Sequence, residues 1–422
     1  MHWVSKTKSI EVVAKEPHPA SGPNVIGRVP AISSIQFGPM ELFGAMARTY
    51  HTHLIDPDIV TVQSQYMALM LMHHVDDISS EFAILASADA IKDYGKSYFA
   101  GTVAAGIAYL AMVRDGYIWM GHLEQMGKGN AAASKMADYA FLGSDGVAIM
   151  EAKGSRGSSS SSFNRTVRRG YLDQVKPHLG HDFNGVRPSH GYCIGAHLKS
   201  PTRADLRIHH TSTPDRRTDD MHSPNGIDQI GRGRSAAEVQ RHNYATVLSL
   251  VHGAALAGQF LRGLVSRSDS PGFTFFRWRG RDWFGPPELA RARTQRSLWN
   301  EYPWRGKPQH FFALEAGIAR TAFEQFGYGS EARTMPVEHL LLDENDVWRS
   351  EARPDGATFP DGMAIVSREA DLTEVQPIES IDDRLKRELL MPVSTLTREI
   401  TMKEEPTPPL LLGQAKLLLR DE

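Results

Sequence analysis

The sequence has little cysteine and little net charge. Cys193 is the single cysteine among 422 residues, which excludes a disulfide framework and any C-x-x-C metal site. A reducing, cytoplasmic setting is therefore expected. The net charge is −2, from 47 basic and 49 acidic side chains. No global basic field exists to attract nucleic acid, so any surface that binds it must be local.

Long apolar runs and phosphate-binding loops are also missing. The longest run without a charged residue or a histidine, residues 97–113, is short for a membrane span and rich in Gly and Ala. It predicts a buried core helix, and no membrane partner is expected. There is no G-x-x-x-x-G-K-[ST] loop, so no nucleotide-driven motor is expected. The start of the chain carries no basic-then-apolar signal pattern, in agreement with a cytoplasmic protein.

Hydrophobic periodicity predicts an α/β protein with its core in the middle of the chain. The predicted regions are a mainly helical one at 1–95 with a short strand at 9–13, a core at 96–212, a polar loop at 213–238, a helix and basic, aromatic hairpin region at 239–337, and an acidic region at 338–422. In the core we expect a helix at 97–114, strands at 117–126, 139–142 and 147–150, a helix at 163–179, and strands at 191–198 and 204–210. A further helix is expected at 311–326.

The strands at 139–142 and 147–150 form a hairpin that ends in charged residues. Turn-forming residues join the two strands. Glu151 and Lys153 follow the second strand, where the pattern would otherwise stay apolar, and Asp138 precedes the first. Charges that end an otherwise buried hairpin indicate a functional site.

Two registers of this hairpin are open. If Ser144 and Asp145 form the loop, Asp138 lies opposite Glu151. If Asp145 and Gly146 form the loop, each residue of the first strand pairs two positions further along the second strand, and Asp138 faces Lys153. In both cases the three charged side chains share one face, because only an odd shift exchanges the faces of a strand.

The Glu151–Lys153 triplet is the only Asp/Glu-x-Lys in the chain. With an Asp on the preceding strand, and set in the order helix, three strands, helix, strand, it resembles the PD-(D/E)xK nuclease superfamily. The resemblance covers residues 97–212, about a quarter of the chain. It implies a restriction-endonuclease-like core and metal-dependent hydrolysis of nucleic acid, with DNA as the expected substrate. The implied setting is bacterial or phage defence, or DNA processing.

The resemblance also assigns roles to particular residues. Asp138 and Glu151 match the metal-binding carboxylates, and Lys153 matches the catalytic lysine. Gln174, on the following helix, matches a glutamine found in some members. The implied cofactor is Mg²⁺ or Mn²⁺, held by Asp138, Glu151 and the carbonyl of Ala152, because this ion needs only one or two carboxylates and keeps its remaining waters for reaction.

The chain departs from the superfamily pattern in two places. Ala137 stands where a proline often precedes the aspartate, and the run 97–113 lacks the glutamate often found on the first helix. Glu81 or Glu124 are the candidates to replace it. The alternatives are a surface ion pair at a strand end, a nuclease fold that serves as an inactive binding or scaffold protein in a complex, and an interaction module that works through the acidic region.

A basic and aromatic stretch at 261–307 is the predicted nucleic-acid surface. Arginines suit phosphates, and aromatic rings suit base stacking. The residues expected to act in this way are Arg277, Arg279, Arg281, Trp278 and Trp283. The alternative interpretation is that this hairpin docks against the acidic region. A protein partner or a homo-oligomer is also compatible with the sequence.

Overall fold

The computed structural model describes residues 3, 6–20, 25–50, 57–127, 129–130, 133, 135–157, 159–199, 203–212, 227–266, 272–294, 310–329, 341–342 and 355–378. Within these residues the chain forms two β-sheets and eight α-helices. Residues 213–226 of the predicted polar loop and residues 379–422 of the predicted acidic region lie outside the described residues. The fold is mixed α/β.

A seven-stranded mixed sheet holds the central part of the chain. Its strands are β1 (Lys8–Pro19), β2 (Ser34–Phe37), β3 (Tyr117–His122), β4 (Tyr139–Gly143), β5 (Gly146–Ser155), β6 (His190–His197) and β7 (Asp205–Ser212). The strand order is β2-β1-β7-β6-β5-β4-β3. Strands β5 and β6 are parallel, as are β1 and β7, while the other neighbours are antiparallel. The order of elements predicted over residues 97–212 is the order observed.

The N-terminal region contributes to this sheet as well as supplying helices. The short strand expected at 9–13 extends over the twelve residues of β1, and β2 pairs with it. Strand β1 lies parallel to β7, almost two hundred residues further along the chain. The partner of a strand that lies this far along the sequence cannot be recognised from local periodicity. The sequence therefore predicts a mainly helical region at 1–95, whereas the structure adds two strands there.

Helices cover both sheets. They are α1 (Pro39–Tyr50), α2 (Pro57–His74), α3 (Asp93–Arg114), α4 (Ser160–Gly170), α5 (Ile227–Val251), α6 (Ala254–Leu261), α7 (Pro287–Thr294) and α8 (Ala316–Ala322). Helix α4 continues into a π-helical turn, Tyr171–Val175, and a 3₁₀ turn, Lys176–His178. Helix α5 begins within the segment that was predicted to be a polar loop.

Helix α3 is the buried core helix that its Gly and Ala content predicts. Of the described helices, it alone is long and apolar enough to cross a membrane by length and composition, and 72% of its most apolar window is buried inside the protein. Small residues let it approach the sheet closely. At Gly154 of β5, an added Cβ would lie 2.1 Å from the Ala100 carbonyl oxygen.

The second sheet has six antiparallel strands. They are β8 (Phe273–Trp278), β9 (Arg281–Gly285), β10 (His310–Glu315), β11 (Gly356–Thr358), β12 (Met363–Ser367) and β13 (Thr373–Ile378), in the order β11-β12-β10-β9-β8-β13. The helix expected at 311–326 is wrong in its first part. Residues 311–315 belong to β10, because a short apolar run fits a buried strand as well as a helix and here pairs with both β9 and β12.

A fully buried ion pair joins helix α1 to the turn before strand β12 of the second sheet. Arg48 of α1 lies 2.5 Å from the carboxylate of Asp361, in the turn before β12, and both side chains have no exposed surface. Arg48 also donates to Tyr109 of α3 at 2.8 Å, and Asn243 of α5 donates to Asp361 at 2.8 Å. Each charge is thus compensated by its partner and by hydrogen bonds.

Removing one partner of this pair should destabilise the protein strongly. In Asp361→Ala the Arg48 guanidinium stays buried without its counter-charge, and we expect a loss of about 3–5 kcal/mol in the free energy of unfolding. Denaturant titration followed by circular dichroism measures it. The matched control is Arg203→Ala, which breaks an exposed pair with Glu11 and Glu81 and should leave the midpoint nearly unchanged. Equal midpoints for the two variants would contradict the prediction.

Candidate active site

The hairpin of β4 and β5 brings two carboxylates side by side. Ser144 and Asp145 form its two-residue turn, which is the first of the two registers that the sequence left open. This register sets Asp138 opposite Glu151. The backbone N–H of Ala152 donates to Asp138 Oδ2 at 3.0 Å, which fixes the aspartate against the edge of β5.

The carboxyl group of Glu151 is buried, and only one of its oxygens accepts a hydrogen bond from an N–H group. Glu151 has 1% of its surface exposed. Its Oε1 accepts a hydrogen bond from Lys153 Nζ, whereas no described N–H group donates to its buried Oε2, and a hydrogen bond between the Glu151 and Asp138 carboxyls needs a shared proton. A buried carboxylate oxygen without a donor is costly, so this atom marks a place where a cation or a proton is needed.

Gln174 orients the lysine. Lys153 Nζ donates a second hydrogen bond, of 3.0 Å, to Gln174 Oε1. Gln174 in turn donates from Nε2 to the Met136 carbonyl at 3.2 Å, two residues before Asp138. The predicted site residues Asp138, Glu151, Lys153 and Gln174 are therefore brought together in one cluster.

A glycine on α4 makes room for the cluster. A Cβ added at Gly170 would lie 2.7 Å from Cys193 Sγ and 3.1 Å from Lys153 Cε. Cys193 is the residue of β6 paired with Glu151, and it is fully buried. Gly170 thus lets α4 lie directly over Glu151 and Lys153. Nothing in the sequence pattern pointed to Gly170 or to Cys193 as neighbours of the site.

Burial and mutual repulsion raise the pKa values of both carboxyls. Burial first, and then the neighbouring Asp138, raises the pKa of Glu151 to about 8. Burial also raises the pKa of Asp138, against the opposing effects of the Ala152 N–H and of Lys153. Burial lowers the pKa of Lys153, but Glu151 and Asp138 together raise it above its ordinary value. The lysine is therefore cationic beside a carboxyl pair that resists full ionisation.

Of the two candidates for a third carboxylate, Glu124 is the one near the site. It lies in the 3₁₀ turn Leu123–Gln125 after β3, and its charge contributes to the raised pKa of Asp138. Glu81 lies elsewhere, beside β1, where it forms an ion pair of 3.1 Å with Arg203.

The residues present fit a hard divalent cation. The ladder between β4 and β5 ends at Met150, and the N–H of Ala152 points to the edge where Asp138 lies. In an extended strand the N–H and C=O of one residue point the same way, so the Ala152 carbonyl lies on that edge too. Among the described residues no group of three or more His, Cys, Asp or Glu is arranged to hold a metal. The groups that could hold such an ion are the carboxylates of Asp138 and Glu151 and this carbonyl, and Mg²⁺ or Mn²⁺ would complete the set with water.

Two of the three predicted nucleic-acid arginines, Arg277 and Arg279, are paired with carboxylates of the acidic region. Arg277 contacts Asp282 at 3.0 Å and Glu374 at 2.9 Å. Arg279 contacts Asp355 at 2.5 Å. These contacts are those of the alternative interpretation, in which the hairpin docks against the acidic region.

The tryptophans of the same hairpin lie in the core of the second sheet. Trp278 and Trp283 have 2% and 1% of their surface exposed, and their rings contact each other edge to face at 5.7 Å. Arg281 pairs opposite Trp278 in β9, where its charge acts on Glu315. Buried rings offer no face to a base, so the expected stacking role of these tryptophans is wrong for this fold.

Helix α4 carries arginines that the sequence analysis did not single out. The helix begins at Ser160, within the Ser-rich stretch, and Ser159 caps it by accepting from the Ser162 N–H at 3.3 Å. Its exposed face carries Arg165, Arg168 and Arg169. Their spacing on the helix directly after Lys153 is the signal that could have identified them.

Comparison with protein-family models, with curated proteins and with solved structures finds no match to this chain.

The raised pKa of Glu151 makes stability depend on pH. Folding favours protonated Glu151, so its contribution is full below the ordinary glutamate value of 4.5 and is lost as pH rises through about 8. In metal-free protein, replacing Glu151 by Gln should flatten this decline. Thermal unfolding at a series of pH values measures it, with Glu11→Gln, an exposed glutamate, as the control. A decline in Glu151→Gln as steep as in wild type would contradict the prediction.

Proposed function

We propose that this chain is a metal-dependent nuclease of the PD-(D/E)xK type, with DNA as the expected substrate. One observation carries the proposal: Asp138 and Glu151 face each other on adjacent strands, and Lys153 lies on the same face. The arrangement α3, β3, β4, β5, α4, β6, with β5 and β6 parallel, supports the restriction-endonuclease-like core that the sequence pattern implies.

The carboxylates would hold the cation. Asp138 is pre-positioned by the Ala152 N–H, and Glu151 Oε2, which accepts from no described N–H group, would bind the cation after losing its proton. When bound, Mg²⁺ or Mn²⁺ neutralises charge on the phosphate and lowers the pKa of a water molecule. Burial of Glu151 makes its attraction for a cation stronger than that of an exposed carboxylate.

Lys153 would act on the transition state. Hydrogen bonds to Glu151 and Gln174 hold its ammonium group in place, so little reorganisation is needed when charge develops on the phosphate. The raised pKa of the ammonium keeps it charged at neutral pH. Gln174 is a positioning residue in this scheme, because it contacts the lysine and anchors it to the chain before Asp138.

One observation favours the alternative, a nuclease fold retained as an inactive binding or scaffold protein. Helix α3 faces β5 with Ala100, Ala104 and Gly154 in contact, and no carboxylate lies on this part of the helix. A cation at this site would therefore have only the carboxylates of Asp138 and Glu151 as ligands, with Glu124 as the one further candidate. The two proposals differ in whether the wild-type protein cleaves DNA at all.

Cleavage assays separate them. Wild-type protein should cut plasmid or oligonucleotide DNA only with Mg²⁺ or Mn²⁺, and Lys153→Ala should lose at least about 100-fold in rate because one preorganised charge in the transition state is removed. Lys92→Ala, an exposed lysine directly before α3, is the matched control and should cut like wild type. DNA affinity measured in parallel should be nearly the same in all three. Full activity of Lys153→Ala would mean that Glu151 and Lys153 form only a structural ion pair.

Metal binding is a separate test. Calorimetric titration with Mn²⁺ should show one site in wild type, and Glu151→Ala should remove it, because Asp138 and a carbonyl alone bind weakly. Since burial beside Asp138 raises the pKa of Glu151 to about 8, binding of the cation should release protons, which titrations in buffers of different ionisation enthalpy reveal. Equal Mn²⁺ binding by both proteins would move the site away from this hairpin.

A further inference from the structure

Two histidines on neighbouring strands of the first sheet form a hydrogen-bonded pair. His18 of β1 and His209 of β7 are joined by a contact of 2.8 Å between His18 Nε2 and His209 Nδ1. His209 has no exposed surface, whereas His18 is partly exposed. The ring of His18 stacks on Tyr171 at 4.3 Å, with 15° between the two planes. The pair therefore lies between the sheet and the π-helical turn Tyr171–Val175.

The pair lies on the same face of the sheet as the candidate active site. In the register of the sheet, Glu151 is beside Cys193, and Cys193 is beside His209. Glu16 of β1 follows beside His209. Strands about 4.8 Å apart place the backbones of Glu16 and Glu151 about 14 Å from each other. The histidines are thus a second cluster, separated from the first by β6.

The neighbours of His209 determine which ring nitrogens carry protons. Burial lowers the pKa of His209 to about 4, so its ring is neutral at pH 7. Asn164 of α4 donates from Nδ2 to Glu16 Oε1, so its Oδ1 faces His209 Nε2, at 3.3 Å, and accepts a proton from it. His209 Nδ1 is therefore the acceptor of the bond to His18 Nε2. His18 Nδ1 keeps its lone pair and has no hydrogen-bond partner within the described residues.

Two uncompensated cations act on His18. Burial first, and then the charge of Arg168, lowers the pKa of His18. Glu16 opposes this effect, while Lys176 and His210 add to it. Arg168 and Lys176 are exposed, and neither forms an ion pair in the part of the chain that the structure describes. The surroundings of the neutral His18 ring therefore carry net positive charge.

The π-helical turn brings these two cations to the same side. Arg168 precedes Tyr171 by three residues, and residues at this spacing are neighbours on a helix. The N–H of Lys176 donates to the Tyr171 carbonyl, which is the bond between residues i and i+5 of a π-helix and returns Lys176 to the side of Tyr171. His18 covers the ring of Tyr171, so both cations lie around it.

The carboxylate of Glu16 lies at the far side of His209. Its Oε1 accepts from Asn164, and its Oε2 lies 3.7 Å from His209 Nε2, the nitrogen that does not contact His18. Metal ligation does not explain the cluster, because the facing nitrogens of the two rings are bonded to each other. Within the described residues these groups also form no set of three metal ligands. What remains is one lone pair beside two cations.

We infer that His18 Nδ1, Arg168 and Lys176 form a binding site for hydrogen phosphate, in which the P–O–H group donates to His18 Nδ1 and the charged oxygens accept from the two cations. The inference goes beyond the proposed nuclease, since the site needs neither metal nor nucleic acid. A lone pair selects an oxyanion that still carries a proton. Inorganic phosphate keeps one at pH 7, whereas sulfate has none and a phosphate monoester loses its last proton near about pH 6.

The first test compares anions. Calorimetric titration of metal-free protein at pH 7 with inorganic phosphate should show one site. Sulfate and a mononucleotide should each bind at least about 10-fold more weakly, because each sets a charged oxygen against the lone pair instead of a donor. Sulfate that binds as tightly as phosphate overturns the inference. A mononucleotide that binds as tightly as phosphate also overturns the selection of a protonated anion.

The second test removes the cations one at a time. Arg168→Ala and Lys176→Ala should each weaken phosphate binding at least about 10-fold, since each loses a charge-assisted hydrogen bond. The matched control is Arg169→Ala, an exposed arginine that lies two residues before Tyr171 and so on nearly the opposite side of the helix. It should bind phosphate like wild type. Equal affinities of Arg168→Ala and Arg169→Ala overturn the inference.

The third test observes the lone pair directly. Imidazole ¹⁵N chemical shifts of the free protein at pH 7 should show His18 protonated on Nε2 and unprotonated on Nδ1, and phosphate should shift the Nδ1 signal. A proton on His18 Nδ1 in the free protein overturns the inference. These measurements use neither metal nor nucleic acid, so their failure leaves the nuclease proposal standing, and failure of the cleavage assays leaves this site standing.

Discussion

The chemistry of the site depends on the burial of Glu151 beside Asp138. Two buried, neighbouring carboxyls repel each other when both are ionised, unless cations compensate their charge. This repulsion and the burial raise the pKa values of both groups. Lys153 supplies part of the compensation, but it contacts only one oxygen of Glu151. The remaining need for positive charge is what makes the cluster suited to a divalent cation rather than to a structural role alone.

The rest of the fold holds this cluster in place. Strand β6 buries Glu151 from one side, and Gly170 allows α4 to cover it closely. Gln174, on the π-helical turn that follows α4, reaches Lys153. The second sheet has a different role, because its Arg277 and Arg279 form ion pairs with Glu374 and Asp355 of the acidic region.

The parts that the sequence predicted are those set by local pattern. The turn residues Ser144 and Asp145 and the alternation of β4 and β5 determine which side chains share a face, so Asp138, Glu151 and Lys153 were predicted from spacing alone. Long-range contacts were not predictable in this way. Strand β1 finds its partner β7 far along the chain, and Arg277 and Arg279 meet carboxylates 97 and 76 residues away. An arginine that is paired and one that is free look the same in a sequence.

Diffraction from crystals soaked in Mn²⁺ tests the central claim most directly. With data collected at the manganese absorption edge, the account predicts an anomalous peak between the carboxylates of Asp138 and Glu151 and within bonding distance of the Ala152 carbonyl, together with release of Lys153 from one Glu151 oxygen. A map with no peak at this position, and with Lys153 still bound to Glu151 as in the free protein, would contradict it.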